Sequence, residues 1–505
     1  MRRVLTLVAV AVCGLAAAAL VGASANVPGE LDPAFGTGGI VITQTPPNGQ
    51  IYDLAIQPDG KIVAAGVVGS RFESDFEIVR YQPDGSLDPT FGSAGRVILS
   101  FGTSNDVGQE VALQPDGKIV VVGFADMGTG GIPDFDFALA RLLANGSLDP
   151  SFGTGGKVTT DVGGAHAVDA GRALVLQPDG KIVAVGESYK DGSFDAAAAR
   201  YTATGALDGT FGSGGTVVTP TGPGADLLTD VILQPDGKLV ATGPIQGEGT
   251  SYDPGVIRYL PNGSLDATFG SGGLAIVASG ATVLRYSHVV LQPDGKLVVS
   301  GAFSNGTDRD FGAARLTLAG ALDTTFGMGG KSLTPIGPGN ETAGDLALQG
   351  NGKIVLAGTV SVDRKDTAAT FGVVRLGPSG ALDTGFGTGG KVTTQVQATD
   401  TARAVTLQPD AKIVVGGWAA PSIGALENFA LARYVGAKPP CVVPRVKGKQ
   451  LAAARKAIVA ANCRTGSVKK IRSRSRSGTV LKQSPAPGVQ LENGAKVNVT
   501  VSRGR

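Results

Sequence analysis

Two short phrases each occur seven times in this chain, and their spacing restricts the available folds more than any other feature. Leu-Asp-x-x-Phe-Gly starts at Leu31, Leu87, Leu148, Leu207, Leu265, Leu322 and Leu382. Gln-Pro-Asp-Gly-Lys starts at Gln57, Gln114, Gln177, Gln234 and Gln292, with altered copies at Gln349 (Gln-Gly-Asn-Gly-Lys) and Gln408 (Gln-Pro-Asp-Ala-Lys). Successive copies lie 56 to 63 residues apart. Within one unit, residues 110–114 alternate as a strand does, and Pro115-Asp116-Gly117 then reverses the chain. Proline presets φ, aspartate supports the turn, and glycine accepts positive φ. Residues 118–123 return as the second strand of a hairpin and residues 137–142 form a third. After a turn at Asn145-Gly146 and the Leu148 phrase, residues 156–160 make a β-branched fourth strand. No part of the unit has a long helical period. Four strands per unit of about 58 residues predict a β-propeller rather than a helical solenoid.

The strands flanking Pro-Asp-Gly-Lys are the most apolar and are expected near the crowded axis. The more polar strand after Phe-Gly is expected at the rim. Residues 39–45 then form a lone rim strand, while residues 402–408, 412–418 and 428–434 form three strands with no fourth. Joining the chain ends gives seven blades and hides two open sheet edges. Composition agrees: 78 glycines without a G-X-Y period exclude collagen. Two histidines, His166 and His288, exclude a zinc cage of several imidazoles, and three cysteines exclude a disulfide-dense scaffold.

Units of the form LDxxFGxxGKVTT…VALQPDGKIVVVG…DFALARL resemble the delta-60 repeat, a bacterial β-propeller repeat of secreted or surface proteins. The resemblance covers residues 31–435. It implies the fold, and a fold does not by itself name an activity.

Residues 1–25 read as a signal peptide: Arg2 and Arg3 precede the apolar residues 4–21, and Ala23-Ser24-Ala25 offers a small-x-small cleavage site. The mature chain is therefore expected to be secreted, extracellular or wall-associated in a bacterium, with no transmembrane span after leader removal. The expected domains are a propeller over 26–437 and a small α+β domain over 438–505, joined at Lys438-Pro439-Pro440.

In that second domain the expected elements are a strand at 442–446, a helix over 450–462, and strands at 478–483 and 496–502. Leu451, Ala454, Ile458 and Ala461 make one apolar stripe on the helix. VPRVKG, AARKAI, GTVLKQSPAPG and GAKVNVTVSRG resemble a PASTA domain, and the resemblance implies a peptidoglycan-related ligand. One copy stands here instead of a tandem array, and no kinase or transpeptidase motif accompanies it. Cys441 and Cys463 are expected to form a disulfide in an exported protein. Their spacing does not suit Cys-x-x-Cys redox or metal chemistry.

Charge divides sharply between the domains. From Lys438 onward there are sixteen basic residues and one acid, Glu492; the leader takes two arginines, leaving twenty-six basic and forty-one acidic residues for the propeller. A basic module suits a polyanion, and Lys469, Lys470, Arg472, Arg474 and Arg476 are its densest part. No aromatic residues interleave for base stacking, so peptidoglycan or anionic wall polymer is the expected partner and nucleic acid is not. The alternative is a solvated basic loop.

Seven arginines recur in the third strands: Arg80, Arg141, Arg200, Arg258, Arg315, Arg375 and Arg433. Several follow an acid by four or five positions, as with Asp75, Asp136, Asp195, Asp253 and Asp310. A constellation present in every blade reads as structure, because a site usually breaks the symmetry. His166, His288 and Trp418 do break it, but a lone histidine or tryptophan on a strand is more often packing. No nucleophile elbow, His-Glu-x-x-His or phosphate loop is present. The reading assigns no catalytic, cofactor-binding or metal residue and no cofactor. It favours a non-catalytic binding or scaffold protein, its propeller with a ligand of unnamed chemistry and its PASTA-like module on the wall. The alternative is an extracellular hydrolase or lyase acting on carbohydrate or lactone at the propeller mouth.

Overall fold

The computed structural model describes residues 27–504, apart from 71–72, 103, 129–132, 165–167, 191, 223, 247–251, 281–285, 364–367, 437–440 and 492–493. The expected signal peptide, His166 and the Lys438-Pro439-Pro440 linker lie outside the described residues.

Seven four-stranded antiparallel sheets follow one another along the chain. The first complete one contains Gly49–Ile56, Ile62–Ser70, Glu73–Tyr81 and Arg96–Leu99, each pairing with the next. The last is assembled from both chain ends. Thr399–Leu407, Ile413–Ala420 and Asn428–Tyr434 receive Ile40–Thr43 as their fourth strand. Register there runs from Ile40 opposite Ala432 to Thr43 opposite Phe429. The first strand of every sheet touches the first strands of its neighbours, and Gly49–Ile56 touches Thr399–Leu407, so the circle closes.

The core lies between successive sheets. Val120, Val122 and Phe137 of one sheet pack on Leu174, Ile182 and Ala184 of the next, all essentially buried. Each large apolar side chain so buried contributes roughly 1.5–3 kcal/mol.

The Gln-Pro-Asp-Gly-Lys phrase is the hairpin turn between first and second strands. Gln57 N–H donates to Lys61 O at 2.8 Å, and Gly60 takes φ +85°. In the last copy Ala411 holds φ +65°, a left-handed conformation that costs a residue with a Cβ.

The Leu-Asp-x-x-Phe-Gly phrase makes the second conserved device of the repeat. Arg80 Nε donates to Asp88 Oδ2 at 2.8 Å, and Lys61 Nζ lies 3.3 Å from the same oxygen. Arg80 also stacks over Phe91, 4.5 Å from its centroid, and donates through Nη1 to Ala144 O of the next sheet at 2.5 Å. The arrangement recurs for Arg141, Arg200, Arg258, Arg315 and Arg375 with Asp149, Asp208, Asp266, Asp323 and Asp383. At the closure Arg433 and Lys412 meet Asp32, and Arg433 reaches Pro83 O. Hydrogen bonds from the Thr210 hydroxyl, with Lys181 and Arg200, hold Asp208 well below the usual carboxylate range.

The C-terminal unit has helix Leu451–Ala460, two residues shorter than expected at its C-terminal end. Its buried face is Ala454 and Ile458, with Leu451 and Ala461 partly covered. A three-stranded sheet runs in the order Arg464–Ile471, Lys496–Ser502, Val480–Ser484. Arg464–Ile471 was not expected as a strand: it is a polar edge strand pairing parallel to Lys496–Ser502, so alternation is absent from its sequence. Cys441 and Cys463 are joined in a disulfide within the core of this unit.

Two outcomes test these assignments. Ala411→Gly should raise stability by somewhat under about 1 kcal/mol in urea unfolding, since glycine relieves the φ +65° strain; a loss would show that the turn differs. Asp32→Asn should destabilise by about 3–5 kcal/mol by leaving Arg433 buried without its carboxylate. Asp59→Asn, at an exposed pair, should cost under about 1 kcal/mol.

Candidate functional site

Symmetry breaks at the axis. In five of the first strands a register shift leaves one extra residue: Tyr52, Gln109, Arg172, Gly344 and Arg403. A bulge of this kind re-aims a side chain. All five lie five positions before the glutamine of the turn phrase. The following positions are Asp53, Glu110, Ala173, Asp230, His288, Asp345 and Ala404 around the ring. Apart from Ala173 and Ala404, these two layers line an axial cavity of about 270 Å³, with Tyr286 and Thr229 in its wall.

The carboxylates of the deeper layer also tie the sheets together. Each accepts a backbone N–H from the next first strand: Asp53 from Val111 at 2.9 Å, Glu110 from Leu174 at 3.1 Å, Asp230 from Val289 at 2.7 Å, and Asp345 from Val405 at 2.8 Å. Enclosure by protein disfavours their charge. It pushes Asp53 up to about 7 and Asp230 up to about 6. Glu110 and Asp345 are pushed well above the ordinary range by the same enclosure and by the neighbouring acids. His288 is pushed down to about 3 by enclosure first and by the Arg403 charge second. Its Nδ1 lies 3.5 Å from Asp345 and 3.8 Å from Asp230, contacts of a neutral imidazole rather than ion pairs.

The outer layer carries two cations in different states. Arg172 is neutralised by Glu187, with Nε and Nη2 donating to Oε1 at 3.0 and 2.5 Å. Arg403 meets no carboxylate or carbonyl among the described residues. Its guanidinium lies over aromatic rings, 3.5 Å from the Tyr286 centroid, 5.3 Å from Tyr52 and 5.6 Å from Trp418, and its Nε is buried without an acceptor among the described residues. Gly344 leaves room for that strand: a Cβ there would stand 2.9 Å from Ala402 O and 3.1 Å from Arg403 Cα.

The repeated arginines lie elsewhere, between sheets. Their carboxylate is the aspartate of Leu-Asp-x-x-Phe-Gly, eight residues later in six of the seven cases, not the acid four or five residues before. Asp253 instead accepts from Ser279, and Asp310 from Asn305. Asp136, Asp161 and Asp169 place oxygens within 4.8 Å of one another, close enough to share a cation. Asp169 Oδ2 already accepts from Val162 and Gly163, and burial with the neighbouring acids pushes Asp136 up to about 7.

In the C-terminal unit Lys469 and Lys470 stand on the edge strand Arg464–Ile471, and Arg472, Arg474 and Arg476 follow it; all five are exposed. None forms an ion pair among the described residues. The axial residues were missed in the sequence, where His288 and Trp418 read as packing. The available signal was alignment on the turn phrase, which shows that the position four residues earlier varies between acid, histidine and alanine.

Residues 57–91, 114–152, 177–211, 234–269, 292–326 and 349–386 match the family described as "Domain of unknown function (DUF5122) beta-propeller", and residues 442–503 match the PASTA domain. The chain belongs to the DUF5122 beta-propeller repeat proteins and carries a C-terminal PASTA domain. No curated protein matches it. Among solved structures it is similar to a protein of unknown function from Dyadobacter fermentans DSM 18053, at 10% identity over 80% of this chain and 99% of that one, with a TM-score of 0.42. It is also similar to the polysaccharide lyase Uly1, at 14% identity over 83% and 94%, with a TM-score of 0.41. The PQQ-bound aldose sugar dehydrogenase of Streptomyces coelicolor matches at 13% identity over 66% and 96%, with a TM-score of 0.34.

The axial acids give a pH signature. A carboxyl raised on folding contributes stability that is complete below its unfolded value, near 3.8 for Asp53, and is lost as pH rises through its folded value, about 7. Thermal stability should therefore fall between about pH 4 and 7. Glu341 and Asp400, raised to about 7 and about 6 by burial, contribute to the same fall. Asp53→Asn should make it shallower, as read by melting temperature across pH; an unchanged slope would place an ordinary carboxyl at Asp53.

Proposed function

We propose that this chain is a cell-envelope binding protein: a seven-bladed propeller held on the bacterial wall by its PASTA domain. The observation that carries the reading is the basic edge of that domain, where Lys469, Lys470, Arg472, Arg474 and Arg476 are all exposed on one strand and the segment following it. Exposed cations without acidic partners among the described residues suit a polyanion, and PASTA domains in general bind peptidoglycan-related ligands. The disulfide Cys441–Cys463 suits an oxidising compartment, and no described helix is long and apolar enough to cross a membrane.

Retention on purified bacterial walls tests this. The full chain should sediment with walls, while a chain ending at Gly436 should remain in solution. Changing the five basic residues to glutamine should weaken retention at least about tenfold at low salt, and salt should weaken the parent steeply, since exposed charges are screened beyond about 8 Å at physiological ionic strength. Equal retention of the truncated chain would remove the anchoring role from the PASTA domain.

A further inference from the structure

The axial mouth contains a charge that the described residues do not complete. The seven repeat arginines, Arg96 and Arg172 each pair with a carboxylate. Arg403 lies against aromatic rings, and its donors meet no acceptor among the described residues. Those donors match a carboxylate in a two-pronged geometry. Arg403 borders the axial cavity, whose volume, about 270 Å³, suits one sugar-sized ring rather than an extended chain. The surrounding wall combines the rings of Tyr52 and Tyr286 with polar groups from Gln109 and His288, while the Thr229 hydroxyl is taken up by the Ser287 backbone. Several hydrogen-bonding groups around aromatic faces suit a ring with several hydroxyls better than an inorganic anion or a wholly apolar molecule.

We infer that this mouth binds a small acidic sugar, a polyhydroxylated ring bearing one carboxylate, with Arg403 holding the carboxylate. Enclosure disfavours the charge of the neighbouring acids Asp53, Glu110, Asp230 and Asp345, which weakens their repulsion of a carboxylate at mildly acidic pH. Arg172 adds little attraction, since Glu187 neutralises it. The inference concerns the propeller alone and does not depend on the wall-binding role of the PASTA domain.

Trp418 is the only tryptophan in the chain and stands 5.6 Å from Arg403, so its emission reports this mouth selectively. Titrating the full chain with glucuronate at pH 6 should change that emission saturably, with half-saturation at ~1 mM or below. Glucose, lacking the carboxylate, should bind at least ~10-fold more weakly. Acetate and inorganic phosphate, lacking the ring, should also bind at least ~10-fold more weakly. Arg403→Gln should lose glucuronate binding by a similar factor, and Arg403→Lys, which keeps the charge without the fork, should fall between. Circular dichroism and calorimetric titration separate loss of folding from loss of binding; if Arg403→Gln fails to fold, the lysine variant and the ligand series decide. Equal binding of glucose would overturn the carboxylate contact, and equal binding of phosphate would overturn the sugar. No emission change and no heat with glucuronate would overturn the site.

Discussion

The fold depends on a buried ion cluster that no sheet can complete alone. Each third-strand arginine shares one aspartate with a lysine, lies over a phenylalanine, and then donates to a carbonyl of the next sheet. Burying a guanidinium is costly unless its donors are used. One of its acceptors belongs to the neighbour, so each sheet needs another beside it. Arg433 at the end of the array meets the same requirement with Asp32 and Pro83, from the start of the chain. Closure is thus the last instance of the contact between any two sheets, made across 350 residues.

That regularity leaves the axis free to vary. The first strands converge there, and the bulges turn one residue per strand toward the cavity without disturbing the ladders on either side. Glycine at 344 admits the crowded strand carrying Arg403, while the acids one position further on hold neighbouring first strands by accepting backbone N–H groups. Ala173 and Ala404 occupy the same position without that bond, so the acids are not uniformly required for closure. The cavity is therefore asymmetric within a symmetric frame, as selective binding requires.

The C-terminal unit follows a different economy. Its core is small, built from Val443, Val446, Ala454, Ile458 and three valines of its last strand, and a disulfide joins two of its segments. A unit of this size gains substantially from such a link. Its edge strand exposes its basic residues to solvent instead of covering them, so the sequence there serves charge at the expense of strand patterning.

The sequence by itself determined the repeat, the hairpin turns, the sharing of the last sheet between the chain ends and the PASTA domain. Those features follow from local turn chemistry and strand patterning copied many times, as at Gln57 to Lys61, and from counting strands. Only the tertiary structure decided which acid pairs with Arg80, because the chain reversal at residues 82–86 lays Asp88 back against Arg80, its N–H donating to Arg80 O at 2.9 Å. It also decided that Arg464–Ile471 is a strand, since its pairing partner lies about thirty residues later and its own side chains show no alternation. The axial site was least legible. Tyr52, Arg172, Tyr286 and Arg403 come from different repeats and stand together only because the closed ring brings its inner strands to one axis.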